Sequence, residues 1–180
     1  MATQTMAVPG ALEPVAAAEA EAWDALYREQ MPRIYNFFRY RVGPGPEAED
    51  LTAITFEKAW RNRRRYRRDL ASFATWLFAI AKNVARDHYR SRRQFVPLDA
   101  VAETASSERA DSQAERRSDA SHLAALLRTL RDRDRELISL KYGAELTNRE
   151  IAKITGLTET NVGTILHRAI ARLHERWPKE

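Results

Sequence analysis

Residues 58–68, KAWRNRRRYRR, hold seven basic side chains in eleven positions and no acidic one. Like charges at this density repel one another unless an anion neutralises them. Tyr66 lies inside the run and Phe73 just beyond it, and flat rings beside arginines offer faces on which unpaired bases stack. Further along, Lys82, Asn83, Arg86, Asp87 and Arg90 fall on the polar side of one helical pattern. A second set comprises Thr160, Asn161, Gly163, Thr164, His167, Arg168 and Arg172, on the outer face of another helical pattern. Arg reads guanine bidentately, Asn reads adenine, and Thr meets a thymine methyl or a phosphate. The chemistry available is therefore binding: single-stranded or melted DNA at the first set, the major groove of duplex at the second. Each set also has a plain structural explanation, a solvated arginine face and an ordinary surface helix.

Covalent and metal chemistry have no comparable support. The chain has no cysteine, so thiol nucleophiles, disulfides and cysteine-ligated metals are excluded. His88, His122, His167 and His174 show no H-E-x-x-H spacing. His167 and His174 stand two turns apart on one helix, about 10 Å at the helical rise, too far for one ion. Glu47, Glu49 and Asp50 fit the first turn of a helix, where carboxylates meet the positive end of the dipole. No Gly-rich phosphate loop occurs. No catalytic residue, metal site or cofactor is expected.

The elements that must hold these groups are helices. Trp23, Leu26, Tyr27, Met31, Ile34, Tyr35, Phe37 and Phe38 recur at steps of three and four, predicting a helix over 16–41 interrupted at most locally by Pro32. Gly43-Pro44-Gly45-Pro46 stops it. A second helix starts near Glu47 and carries Leu51, Ile54, Thr55, Ala59 and Trp60 in register, with Phe56 on a flank. A third presents Phe73, Trp76, Leu77, Ile80, Ala81 and Val84 to a core and ends at Ser91-Arg92-Arg93. After a break come a short helix with Leu123, Leu126, Leu127 and Leu130, and another from Asp132 or Asp134 to Gly143. Thr147 and Glu150 then have capping-box spacing, Gly156 suits a left-handed helix end, and Thr158 caps the last helix. Val162, Ile165, Leu166, Ala169, Ile170 and Leu173 form the inner face of that helix. Two short helices joined through a glycine carry the helix-turn-helix signature.

Charge divides the chain. Residues 1–94 carry 16 basic and 11 acidic groups, residues 95–120 carry 3 and 6, and residues 121–180 carry 11 and 8. The acidic middle is rich in Ala, Ser, Glu and Asp and buries little apolar surface, so it is expected to be a flexible linker, part of which could form a solvated helix. The expected organisation is all-α: a disordered tail at 1–15, a helical domain at 16–94, the linker at 95–120, and a helix-turn-helix bundle at 121–177. No apolar run approaches membrane-spanning length and the N-terminus lacks a secretory pattern, so no membrane insertion and a cytoplasmic location are expected.

Together these features resemble the extracytoplasmic-function (ECF) sigma factors, two-domain bacterial transcription initiation factors of the sigma-70 family. The resemblance rests on AEDLTAITFEKAW (48–60), FATWLFAIAKNVARDHYR (73–90) and the helix-turn-helix with TNVGTILHRA (160–169), and covers roughly residues 20–177. It implies a region 2 bundle followed by a region 4 bundle. Asp50, Leu51, Phe56 and Trp60 would dock on the β′ clamp helices of core RNA polymerase. Tyr66, Arg67, Arg68 and Asp69 would set preference in the −10 element. Asn83 would capture a flipped non-template base, which favours the melted state. Lys82, Arg86 and Arg90, with Arg92 and Arg93, would hold phosphates. Thr160, Asn161, Thr164, His167, Arg168 and Arg172 would face the −35 major groove, and the same domain would touch the β flap. The linker would thread towards the RNA exit channel. An anti-sigma factor is an implied partner beside polymerase and promoter DNA, and a monomer bound to polymerase is the implied state. No appended regulatory domain is expected after the last helix.

The chain departs from the family in two places. Ala53 and Ile54 stand where relatives carry a polar pair, which implies a more apolar clamp contact. Leu166 and His167 stand where many relatives have a base-reading Arg or Ser, so the −35 sequence cannot be inferred by analogy. Two other readings compete. A plain helix-turn-helix regulator not associated with core polymerase explains 121–177 but not the arginine-aromatic run. A recombinase-like enzyme would need a nucleophile or a metal-binding carboxylate cluster.

Overall fold

The computed structural model describes residues 13–95 and 111–177. The described residues are helical, without strands. Most of the expected disordered tail and the larger part of the expected linker lie outside them.

Helix α1 spans Glu13–Val42 and runs through Pro32 without a break. Proline inside a helix removes a backbone donor and crowds the preceding turn; the helix persists because Ile34, Phe37 and Phe38, just beyond the proline, are completely buried. After the Gly43–Gly45 turn, α2 spans Pro46–Asn62, with proline in its first turn, where a missing N–H costs nothing, and Glu47 and Glu49 at its dipole's positive end. Two buried threonines satisfy their hydroxyls within α2: Thr52 donates to Ala48 O at 2.7 Å and Thr55 to Leu51 O at 2.8 Å. A 3₁₀ turn at Arg63–Arg65 ends it. Helix α3 covers Phe73–Phe95 and buries Leu77, Phe78, Ala81, Val84 and Ala85 against α1 and α2.

The second half begins with α4, Asp111–Arg128, so the last ten residues of the acidic stretch are helical. Helix α5 is short, Asp132–Ile138, and continues as a π-turn over Ser139–Gly143. That turn is closed by Ala144 N–H donating to Ser139 O at 2.9 Å. Helix α6 spans Asn148–Thr155 and α7 spans Glu159–Arg176. Their boundaries are held as the spacing predicts. Thr147 N–H donates to Glu150 Oε2 at 2.8 Å, and Glu150 N–H returns to Thr147 Oγ1 at 3.2 Å. Gly156 closes α6 at φ 76°, a conformation that side chains with a Cβ rarely adopt. Asn161 N–H then donates to Thr158 Oγ1 at 3.2 Å and starts α7.

The two helical groups do not stand apart. The π-turn lies along α1, α6 packs on α3, and Leu140, Ala144 and Leu146 join Ile34, Phe37 and Phe38 in one continuous buried core. Sequence periodicity assigned these residues to separate bundles and contained no sign of this contact.

Candidate nucleic-acid and polymerase interfaces

The exposed face of α2 is the first candidate surface. Asp50 is exposed and Trp60 is 41% exposed, its ring under Arg63 at 3.9 Å and edge-on to Trp23 at 5.2 Å. Leu51 and Phe56, expected to dock on polymerase, are 5% and 6% exposed and belong to the core. Their part is corrected to support: they seat α2 so that its other face is presented. Ile54, 39% exposed, lies on that outer face with Ala53 and Glu57. The departure at Ala53 and Ile54 therefore falls on surface and not on core.

The loop from Tyr66 to Ser72 leads into α3. Tyr66 is half-buried; its hydroxyl donates to Ala71 O at 3.2 Å, and its ring packs on Phe73 at 5.6 Å and Trp76 at 5.2 Å. Phe73, read as a stacking face, is buried, because Trp23, Tyr66 and Trp76 enclose it. What the loop offers outward is different. Arg67 forms a two-pronged pair with Asp69, at 2.6 and 3.2 Å, which holds the Asp69 carboxyl below its ordinary range. Arg68 is exposed, and Leu70 is 70% exposed, an apolar side chain at the tip of a basic loop. Nothing in the sequence singles out Leu70, because a leucine at a helix boundary carries no signal of its own.

Along α3, Asn83, Arg86 and Arg90 are exposed. Lys82 is not free: its ammonium donates to Ile154 O at 3.2 Å and lies 4.0 Å from Glu136, both across the domain contact. Arg86 and Arg90 line a cleft of about 460 Å³ with Arg41, Lys82 and Tyr89, facing Asp132, Arg133 and Glu136. Beyond them, Arg92 and His88 both reach Glu47 at the start of α2, at 2.9 and 2.7 Å. The arginine face is thus partly tied down by internal pairs.

In the second half, Val162, Leu166 and Ala169 are buried, so Leu166 is a core residue, as its place on the apolar face implied. Thr160, Asn161, Thr164, His167 and Arg168 are exposed along the opposite face of α7. Thr164 donates its hydroxyl to Thr160 O at 3.0 Å, leaving the oxygen free to accept. Arg172 departs from the expected reader: it donates to Asp134 of α5 at 2.9 Å. Asp134 is buried, and a buried carboxylate demands a cation, so Arg172 is committed to the fold here.

Among the described residues no group of three His, Asp or Glu side chains could hold a metal ion, and no helix is long and apolar enough to cross a membrane.

Residues 26–95 match the family described as Sigma-70 region 2, and residues 122–173 match Sigma-70, region 4. The chain belongs to the sigma-70 family, as a two-domain initiation factor. Within it, the chain falls in the ECF group. It is 33% identical over 175 residues to the ECF RNA polymerase sigma factor BldN of Streptomyces coelicolor, covering 94% of this chain and 65% of that protein. It is 32% identical over 158 residues to the RNA polymerase sigma factor CarQ of Myxococcus xanthus, covering 86% of this chain and 88% of the other. In fold it is similar to CnrH, solved in complex with the cytosolic domain of CnrY, at TM-score 0.68 and 24% identity, covering 91% of this chain and 92% of that one. The plain-regulator and recombinase readings are not favoured.

Proposed function

We propose that this sigma factor docks on core RNA polymerase through the exposed face of α2, with Asp50, Ile54 and Trp60 as contacts. The loop Tyr66–Ser72 and the exposed side of α3 receive the −10 element as it melts. Asn83 takes a non-template base, and Arg86 and Arg90 neutralise phosphates. Residues Thr160 to Arg168 of α7 enter the −35 major groove. The chain contributes recognition and strand capture, and nucleotide addition belongs to the polymerase. By likeness to relatives solved with anti-sigma partners, an anti-sigma factor restrains it, and it acts in the cytoplasm, where its polymerase is.

The observation that carries this reading is the pairing, on one chain, of an exposed Asn83 beyond a basic loop with a capped helix-turn-helix whose outer face is polar. Two tethered readers make each other's binding intramolecular, which suits a bipartite promoter. The test is run-off transcription from a pooled promoter library, using core polymerase with and without the protein. Protein-dependent transcripts sharing two spaced upstream elements support the reading; duplex binding without any such transcript overturns it.

A further inference from the structure

Two side chains that line the cleft between α3 and α5 each hold a buried polar atom with no hydrogen-bond partner among the described residues. One is Arg41 Nε, a donor on a side chain only 6% exposed. The other is Glu136 Oε1, an acceptor, with the Lys82 ammonium 4.0 Å away and beyond hydrogen-bonding distance. Buried polar groups left unpaired are costly, and these two ask for opposite things, an acceptor and a donor. Arg41 is also fixed in place. It donates to Asp132 O at 3.2 Å, accepts at its own carbonyl from the Tyr89 hydroxyl at 2.6 Å, and lies over the Tyr89 ring at 5.0 Å. Burial pulls its guanidinium below its ordinary pKa although Glu136 and Asp132 act against that, so the fold leaves its charge under-compensated.

The cleft as a whole has a matching polarity. Arg41, Lys82, Arg86, Arg90 and Arg133 face Asp132 and Glu136, an excess of three positive charges around about 460 Å³. Arg86, Arg90 and Arg133 are exposed and have no ion-pair partner among the described residues. A phosphate monoester carries about −1.5 to −2 at neutral pH, so this excess suits a diphosphate better than a single phosphate. Past Lys82, Arg133 and Glu136 the cleft continues into a hollow of about 350 Å³, lined further by Leu137, Thr155 and Leu157. Thr155 donates its hydroxyl to Ile151 O at 2.7 Å, which leaves its oxygen free to accept. From one end to the other the lining thus passes from cations to an unpaired carboxylate oxygen to two leucines and a hydroxyl. Volumes of this order are those of small-molecule sites.

The walls come from separate domains, yet the backbone sets them closely. Gly143 lies so near α1 that a Cβ there would stand 2.9 Å from Asn36 O, and Arg33 Nε donates to Ala144 O at 2.9 Å. A ligand meets a shaped cleft and spends little on ordering it.

We propose that this cleft binds a ribonucleoside diphosphate. The phosphates lie at Arg41, Arg86, Arg90 and Arg133, a ribose hydroxyl donates to Glu136 Oε1, and the base packs against Leu137 and Leu157. Pyrophosphate alone meets only the cations, and a nucleoside alone only the far end. The site stands on the cleft itself and does not depend on the assignment of α3 to the −10 element.

Calorimetric titration of the full-length chain in magnesium-free buffer tests this with ADP, 2′,3′-dideoxy-ADP, pyrophosphate and adenosine. One ADP per chain is expected, bound about tenfold more tightly than any of the other three, the scale of a hydrogen bond to a charged group. Glu136→Met keeps the side chain's length and removes the acceptor; it should abolish the difference between ADP and its dideoxy form without weakening pyrophosphate. Arg133→Ala, at an exposed position, should weaken ADP and pyrophosphate alike by several-fold. The dideoxy comparison on the parent needs no variant and stands if a substitution disturbs the fold. No binding of ADP at millimolar concentration, ADP held no more tightly than pyrophosphate or dideoxy-ADP, or ADP affinity untouched by both substitutions overturns the proposal.

Discussion

Arg172 of α7 and Asp134 of α5 form an ion pair at 2.9 Å across the helix-turn-helix bundle, and Arg131 approaches the same carboxylate at 3.3 Å. The pair ties the second half of the last helix to the first turn of α5 and supplies a cation to the buried Asp134 carboxylate. A residue that helical spacing places among the base readers is thus a brace, while Arg168, one turn earlier, is exposed and has no partner among the described residues.

The two arginines should therefore separate cleanly. Arg168→Ala is expected to lower the slope of log K against log salt for −35 duplex by about one, as for a lost phosphate contact. Arg172→Ala should leave that slope nearly intact but lower stability by about 1–3 kcal/mol, towards the smaller figure because Arg131 remains. Salt titrations and urea unfolding of both variants decide between these roles. Equal salt slopes in the two would refute the division.

Asn83→Ala should spare closed-complex binding and impair strand opening, because the amide is asked to hold a base only after it leaves the stack. Permanganate footprinting on a heparin-challenged complex reports this directly. Undiminished thymine reactivity in the variant removes Asn83 from the melting step.

Leu70 is a sharper case, since a leucine 70% exposed contributes little to the fold. Apolar side chains at loop tips can wedge between base steps. Leu70→Ser should leave the urea midpoint unchanged and slow open-complex formation several-fold. A destabilised protein with normal opening would show that the leucine serves the loop and not the DNA.

On α2, exposure separates contact from support. Trp60→Ala should weaken core-polymerase binding by about 2 kcal/mol, the scale of an aromatic anchor at an interface. Leu51→Ala should instead cost about 2–5 kcal/mol of stability, as a core truncation does. Competition binding to core and thermal unfolding, measured on both, distinguish them.

Glu150 links the reader domain to pH. Partial burial pushes its carboxyl up, but the Thr147 N–H and hydroxyl, with Arg33 and Lys153 nearby, outweigh that and bring it below its ordinary value. A carboxyl depressed by folding stabilises fully above its unfolded pKa, near 4.5, and that contribution fades as pH falls through the folded value. Glu150→Gln should be less stable than the parent at neutral pH and should converge with it in acid. Parallel stability curves from pH 7 to pH 3 would contradict this account.

What could be read in the sequence was local. Thr147 with Glu150, Gly156 and Thr158 act within one turn of the chain, so spacing alone located both ends of α6 and the start of α7. The apolar face through Val162, Leu166 and Ala169 was legible for the same reason, and it kept Leu166 out of the base readers. Periodicity could not tell which aromatic residues face outward. It placed Phe73 correctly on a buried face yet could not exclude it as a stacking platform until Trp23, 50 residues earlier, was seen against it. The pairs that change the functional reading are distant in sequence: Arg172 with Asp134, Lys82 with Ile154, Gly143 with Asn36. Nothing in the charge or size of those residues marks them as partners, since each is equally at home in solvent or in a turn.

Lys82 donates to Ile154 O from 72 residues away, and Ile154 lies in the last turn of α6, where carbonyls lack intrahelical partners and the dipole is negative. A cation from one domain thereby caps a helix in the other. Were a DNA phosphate to take this ammonium, the end of α6 would be left to water, and the two promoter-reading halves would draw on a shared charge. Their affinities would then be coupled, and coupling is reciprocal: whatever factor the −10 strand imposes on the helix-turn-helix, the helix-turn-helix imposes on the −10 strand.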